Sequence, residues 1–229
     1  MNNGRKTMNA NSQKTENNAS PSPAPVIRQS AYQVMADKAG VDREAVAVDI
    51  RKYIASNPEA DKWPKDAIFS LAITVHKLGL SLAPAMGEAF IMPSRTGCEL
   101  VIGYRGLLKL ARKSGRVRGA DAQVVRATDE FKLKLAGESY DVEWSADVSG
   151  LEEPGAIVGA FARVFMADAP TIVTVLRMDS VLALRERKGP MWQREPEQMV
   201  RKTALARALR LVPGLDEKLG ELAGEGDDA

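Results

Sequence analysis

A change of hydrophobic period at Gly115 constrains the fold of this chain more than any other feature of its sequence. Before it, apolar residues recur at helical spacing, most cleanly at Ile68, Leu71, Ala72, Val75 and Leu78. After it the pattern alternates and is rich in β-branched residues, through VRGADAQVVRATDEF, KLKLAG, SYDVEW, IVGAFARVFM and TIVTVLRM. Helical spacing returns in a segment that opens at Pro196 and stops at Pro213. Helices first, strands in the middle and helices last read as an α+β class. The expected architecture is N-terminal helices, a central mostly antiparallel sheet with a basic helix inserted, and C-terminal helices.

Local signals place the boundaries. Ser30 is suited to cap AYQVMADKA, which Gly40 ends, and Asp42 to cap REAVAVDIRKYIAS, which stops at Asn57-Pro58. Pro64 fits the first turn of the helix carrying the apolar stripe, and Gly79 terminates it. Ser94-Arg95-Thr96-Gly97 reads as the turn of a hairpin between EAFIMP and CELVIGY. A second hairpin turns at Asp168-Ala169-Pro170, and a further helix is expected after Asp179. Residues 1–29, rich in Asn, Ser, Thr and Pro, have too little apolar surface to offset ordering and read as a disordered polar arm. Residues 30–213 form the expected core, and 214–229 a short acidic tail.

The segment GYRGLLKLARKSGRVR, Gly103 to Arg118, holds six cations and no acid in a chain whose net charge is only +2. At helical spacing Arg105, Lys109, Arg112 and Arg116 share one face, with Lys113 and Arg118 nearby, while Leu107, Leu110 and Ala111 face a core. A rigid row of cations on an apolar anchor suits a polyanion backbone, although a solvated amphipathic face has the same pattern. A second basic zone contains Arg185, Arg187, Lys188, Arg194, Arg201, Lys202, Arg207 and Arg210, with Trp192 among them. Trp192 reads either as a core plug fixing the C-terminal helices or as a base-stacking platform, and Tyr104 has the same ambiguity.

Several chemistries lack their residues. There is no GxxxxGK[ST] phosphate loop and no GxGxxG after a strand. The single cysteine, Cys98, excludes an internal disulfide, and with the single histidine, His76, it is too little for a zinc site. His76 lies one position off the apolar stripe and reads as a partly exposed surface residue. Glu88, Glu99, Asp129 and Glu130 have no spacing that marks a two-metal cluster, and Glu88 and Glu99 read as solvent-facing or hairpin-pairing residues. No apolar run approaches the roughly 20 residues that span a bilayer. With aromatics at 5%, a single strand would be gripped by its phosphates, leaving the bases free to test a partner strand. Pairing itself releases about 1.4 kcal/mol per step, so annealing of this kind needs no ATP.

LGLSLAPAMGEAFIMP, LVIGYRGLLKLARKSGRVR and QVVRATDEF, followed by the Gly155–Val164 strand, Trp192 and QMVRKTALARALRLVP, closely resemble the RecT family of phage and prophage single-strand annealing proteins. The likeness runs from about Ala67 to Pro213. It implies ATP-independent binding of single-stranded DNA and annealing of complementary strands in recombination. It also implies a homo-oligomer, either ring or helical filament, in the bacterial cytoplasm. No catalytic site and no required cofactor are implied, with Mg2+ at most a modulator of DNA binding. A 5′–3′ exonuclease and the host single-strand-binding protein are the implied partners, and the short acidic tail places both in doubt. Carried over by motif, the resemblance points to Gly103, Tyr104, Arg105, Gly106, Lys109, Arg112, Lys113 and Gly115, and to Arg201, Lys202, Thr203, Arg207 and Arg210. Ala206 stands where members commonly carry a basic residue.

The expected mechanism places Arg105, Lys109, Arg112, Lys113 and Arg116 on the first strand's phosphates, with Lys202, Arg207 and Arg187 on the opposite wall. Strand edges around residues 120–145 are the expected subunit contacts. A duplex-binding regulator is the alternative, since Gly115 breaks the helix just before Arg116 and Arg118, and a metal-dependent nuclease is a third reading.

Overall fold

The structure, a computed structural model, describes residues 31–95, 97–137, 139–147, 155–180, 191–215 and 219. The proposed arm, Arg187, nearly all of the helix expected after Asp179 and most of the acidic tail lie outside the described residues.

Three helices lead the described chain: α1 (Ala31–Lys38), α2 (Arg43–Ser56) and α3 (Lys65–Leu78). The Asp42 carboxylate accepts from the backbone N–H groups of Glu44 and Ala45, satisfying two of the donors that a helix start leaves open. On α3 the residues Ile68, Ala72, Val75 and Leu78 are buried, as the stripe predicts, and Gly79 caps the helix. The α3 stripe packs on a hairpin of β1 (Ala89–Ser94) and β2 (Gly97–Ile102). The Tyr53 hydroxyl donates to the Ile91 carbonyl and accepts from the Ile91 N–H, tying α2 to β1.

The basic helix α4 (Tyr104–Lys113) follows, then β3 (Val117–Arg126), a hairpin of β4 (Glu130–Ala136) and β5 (Ser139–Ser145), and β6 (Ile157–Met166) with β7 (Ile172–Arg177). Two further helices are α5 (Met191–Arg194) and α6 (Pro196–Arg210). Strands β3, β6 and β7 form one antiparallel sheet with β6 central, and Ala122 faces Ala162 across its first ladder. On one face of β6, Ala160, Ala162 and Val164 are buried in the main core with α6. On its other face Phe161 meets Phe131 and Trp144 of the β4–β5 hairpin, each ring centroid 5.7 Å away.

The α+β class is thus observed, with helices at both ends of a strand-rich middle. Among the described residues the middle is three small antiparallel sheets rather than one. Alternation predicts strands but not which edges pair: α4 separates β2 from β3, and the β4–β5 hairpin lies over a face of the central sheet instead of extending its edge.

Candidate nucleic-acid interface

Helix α4 is held where its glycines let it approach the preceding loop. A Cβ on Gly103 would sit 2.4 Å from the Gly87 carbonyl oxygen, and one on Gly106 would sit 2.2 Å from that of Glu88. Neither distance is compatible with any side chain, so the GYRG tetrapeptide is a docking surface for the Gly87–Glu88 backbone. The Gly103 N–H donates to the Glu88 carbonyl at 2.9 Å. Leu107, Leu110 and Ala111 are buried, as the spacing predicts, and the two leucines each contribute about 1.5–3 kcal/mol through burial.

Glu88 is buried, at 6% exposure, which corrects the solvent-facing or hairpin-pairing reading of its sequence position. Its carboxylate accepts from the Ser81 N–H at 2.9 Å and from Lys109 Nζ at 2.9 and 3.1 Å. A buried carboxylate needs such partners. Lys109 therefore neutralises an internal charge, although its position on the cationic face had suggested a phosphate contact.

The remaining cations fall into separate places. Arg105 donates through Nε to the Tyr104 hydroxyl at 3.1 Å and through Nη1 to the carbonyls of Ala85 and Met86 at 3.4 Å, holding that loop. Arg112 and Lys113 are exposed at the end of α4. Arg116 is not on α4, because the helix ends at Lys113 and Gly115 takes a positive φ of 75°. Its guanidinium donates to the Pro213 carbonyl at 3.2 Å, clamping the turn after α4 to the turn after α6. Arg118 lies on β3, where Nε donates to the Met166 carbonyl at 3.0 Å.

Helix α6 has two faces. Val200, Ala204, Leu205, Ala208 and Leu209 are buried against the sheet. Lys202, Ala206 and Arg210, at i, i+4 spacing, share the other face with Thr203 and Arg207. That face looks across an open groove of about 650 Å³ toward Phe90 and Val101 of the β1–β2 hairpin and Tyr104 and Arg105 of α4. Among the described residues no acidic side chain lines it. Tyr104, Gln198 and Lys202 also border a second cleft of about 510 Å³, which continues past β3 to Arg201, Asp121 and Gln123. Arg201 Nε donates to the Ala122 carbonyl at 3.1 Å. The groove thus gathers Tyr104, Arg105, Lys202, Arg207 and Arg210; Lys109, Arg112, Lys113, Arg116 and Arg118 do not line it.

Trp192 is 2% exposed on α5 and belongs to the main core, so no ring face is open for a base. This corrects the stacking reading in favour of the core plug. His76 is partly buried, with Nε2 3.0 Å from Asp49 Oδ2. Asp129 accepts from the Arg126 and Asp147 N–H groups and from Trp144 Nε1, closing the base of the β4–β5 hairpin. Burial pushes the Cys98 thiol pKa up, away from reactive thiolate character. Among the described residues no three His, Cys, Asp or Glu side chains come together as a metal-binding group, and no helix is long and apolar enough to cross a membrane.

The apolar wall of the groove and the buried Glu88 were missed from sequence. The signal available for both was the adjacent Gly87-Glu88 pair followed by a strand apolar at successive positions, Ala89-Phe90-Ile91-Met92, which has apolar side chains for two faces.

Comparison with known proteins agrees with the motifs. Protein RecT of Escherichia coli (strain K12) is 27% identical over 157 residues, an alignment covering 63% of this chain and 56% of that protein. The chain therefore spans a little over half the length of that relative. A family model described as RecT family matches residues 46–218, well over half the chain, and the chain belongs to the RecT family.

Proposed function

We propose that this protein binds single-stranded DNA in the groove between α4, the β1–β2 hairpin and α6, and anneals complementary strands without ATP. The observation that carries this reading is the convergence of Arg105 with Lys202, Arg207 and Arg210 on one groove that no acidic side chain lines among the described residues, from motifs about a hundred residues apart. Phosphate contacts of this kind set position without reading sequence. Family membership supports the annealing step. Assembly into a ring or filament would align successive grooves, so that mismatches accumulate cost over many bases. Contacts to an exonuclease or to single-strand-binding protein, and modulation by Mg2+, belong to the same reading and rest on family membership.

The test mixes two complementary labelled oligonucleotides with the protein, without ATP, where spontaneous pairing is slow, and follows energy transfer. Acceleration that Lys202→Gln/Arg207→Gln abolishes supports the reading. Four groove contacts give a salt slope of about −3, from about −0.7 per phosphate, and each lost cation brings it closer to zero by that increment. No acceleration, with tight binding to duplex or with Mg2+-dependent shortening of the strands, would replace it by the regulator or the nuclease respectively.

A further inference from the structure

The groove has two chemically unlike walls. Lys202, Arg207 and Arg210 supply the cationic one. The other is the outward face of the β1–β2 hairpin, where Phe90 stands opposite Val101 in register. Strand alternation sends Ala89 and Ile91 of the same hairpin into the core, with Leu100 and Ile102 packed against it and Ile102 also reaching the groove. The core accounts for that inner face and leaves the outer one unexplained: Val101 is 38% exposed, and Met86, on the loop that Arg105 holds, is 49% exposed.

Resting on the function proposed above, we propose that Phe90 and Val101 form a base-contacting ledge. A bound single strand would turn its phosphates to α6 and the flat faces of its bases to the hairpin. The strand has the same two-sided chemistry as the groove, with anionic oxygens along one edge and apolar faces along the other. A duplex presents phosphates but hides its base faces by stacking, and an acidic peptide matches only the cations. A ledge that touches base faces also leaves Watson–Crick edges open to a second strand. The grip is therefore not on phosphates alone, as low aromatic content had suggested; one phenylalanine and aliphatic neighbours supply the apolar contact.

The test compares a thymidine oligonucleotide with an abasic oligonucleotide of equal length, binding to the full chain and to three variants. The wild type binds the thymidine strand more tightly. Phe90→Leu and Val101→Thr reduce that preference by about five- to tenfold and leave abasic binding unchanged. Arg207→Gln weakens both ligands equally and keeps the preference. Val101→Thr conserves shape and strand preference, so it keeps the test valid if Phe90→Leu perturbs the hairpin. A wild-type preference of one, or a preference that both ledge variants leave intact, overturns the ledge while the groove reading stands. Failure to bind either strand overturns both.

Discussion

Replacing Lys109 separates two roles that its sequence position leaves indistinguishable. If it neutralises Glu88, Lys109→Met removes the ammonium but keeps the stem, leaving a carboxylate side chain only 8% exposed with the Ser81 N–H as its remaining donor. A charge-assisted hydrogen bond contributes about 1.5–3 kcal/mol. Because the Lys109 side chain is 47% exposed, solvent screening brings the expected coupling toward about 1–2 kcal/mol. The single variant also strands the buried charge, so its total loss is expected at about 2–3 kcal/mol. For a domain of this size that lowers Tm by about 5–10 °C. The assay is a double-mutant cycle with Glu88→Gln in urea, run beside the salt dependence of oligonucleotide binding. The structure requires measurable coupling and an unchanged salt slope. Coupling below about 0.5 kcal/mol together with a slope nearer zero by about 0.7 would refute the argument and return Lys109 to the phosphates.

Further measurements probe other parts of the structure. Gly106→Ala forces a carbon against the Glu88 carbonyl and is expected to cost at least about 2–3 kcal/mol in denaturant unfolding, whereas Gly119→Ala, whose Cβ would lie 3.8 Å from Phe165, costs under about 1 kcal/mol. In a Trp63→Phe/Trp144→Phe background, the Trp192 emission resists acrylamide and is unmoved by oligonucleotide; strong quenching by either would contradict its place in the core. At Asp129, burial raises the pKa, but donation from the Arg126 N–H, Trp144 Nε1 and the Asp147 N–H, with the nearby Arg126 charge, outweighs it and leaves the pKa depressed. A depressed folded pKa contributes stability above the ordinary carboxylate range that is lost as pH falls through the folded value. Asp129→Asn is therefore less stable than wild type at neutral pH, and the gap closes in acid; a gap constant with pH would exclude this linkage.

How far the sequence determined the molecule depended on the range of the interactions. Capping at Asp42, the α3 stripe, the β1–β2 and β6–β7 hairpins and the helix opening at Pro196 follow from neighbours within a few residues, and all of them were legible. So was the anchor of α4, because Leu107, Leu110 and Ala111 need only helical spacing to share a face. So was its end, because Gly115 breaks the helix before Arg116 even though Arg116 keeps the 3.6-residue spacing. Assigning roles to cations lay further out of reach. Lys109, Arg112 and Arg116 look alike on a helical wheel, yet one meets a buried carboxylate 21 positions away, one faces solvent and one clamps a carbonyl 97 positions away. Trp192 likewise read two ways until its burial in the main core decided it. Local periodicity fixes which face a residue occupies, because backbone geometry repeats over a few residues. What that face meets is decided by long-range packing, which brought Lys202, Arg207 and Arg210 opposite Phe90 and Val101 and made a two-walled groove from segments that no sequence period connects.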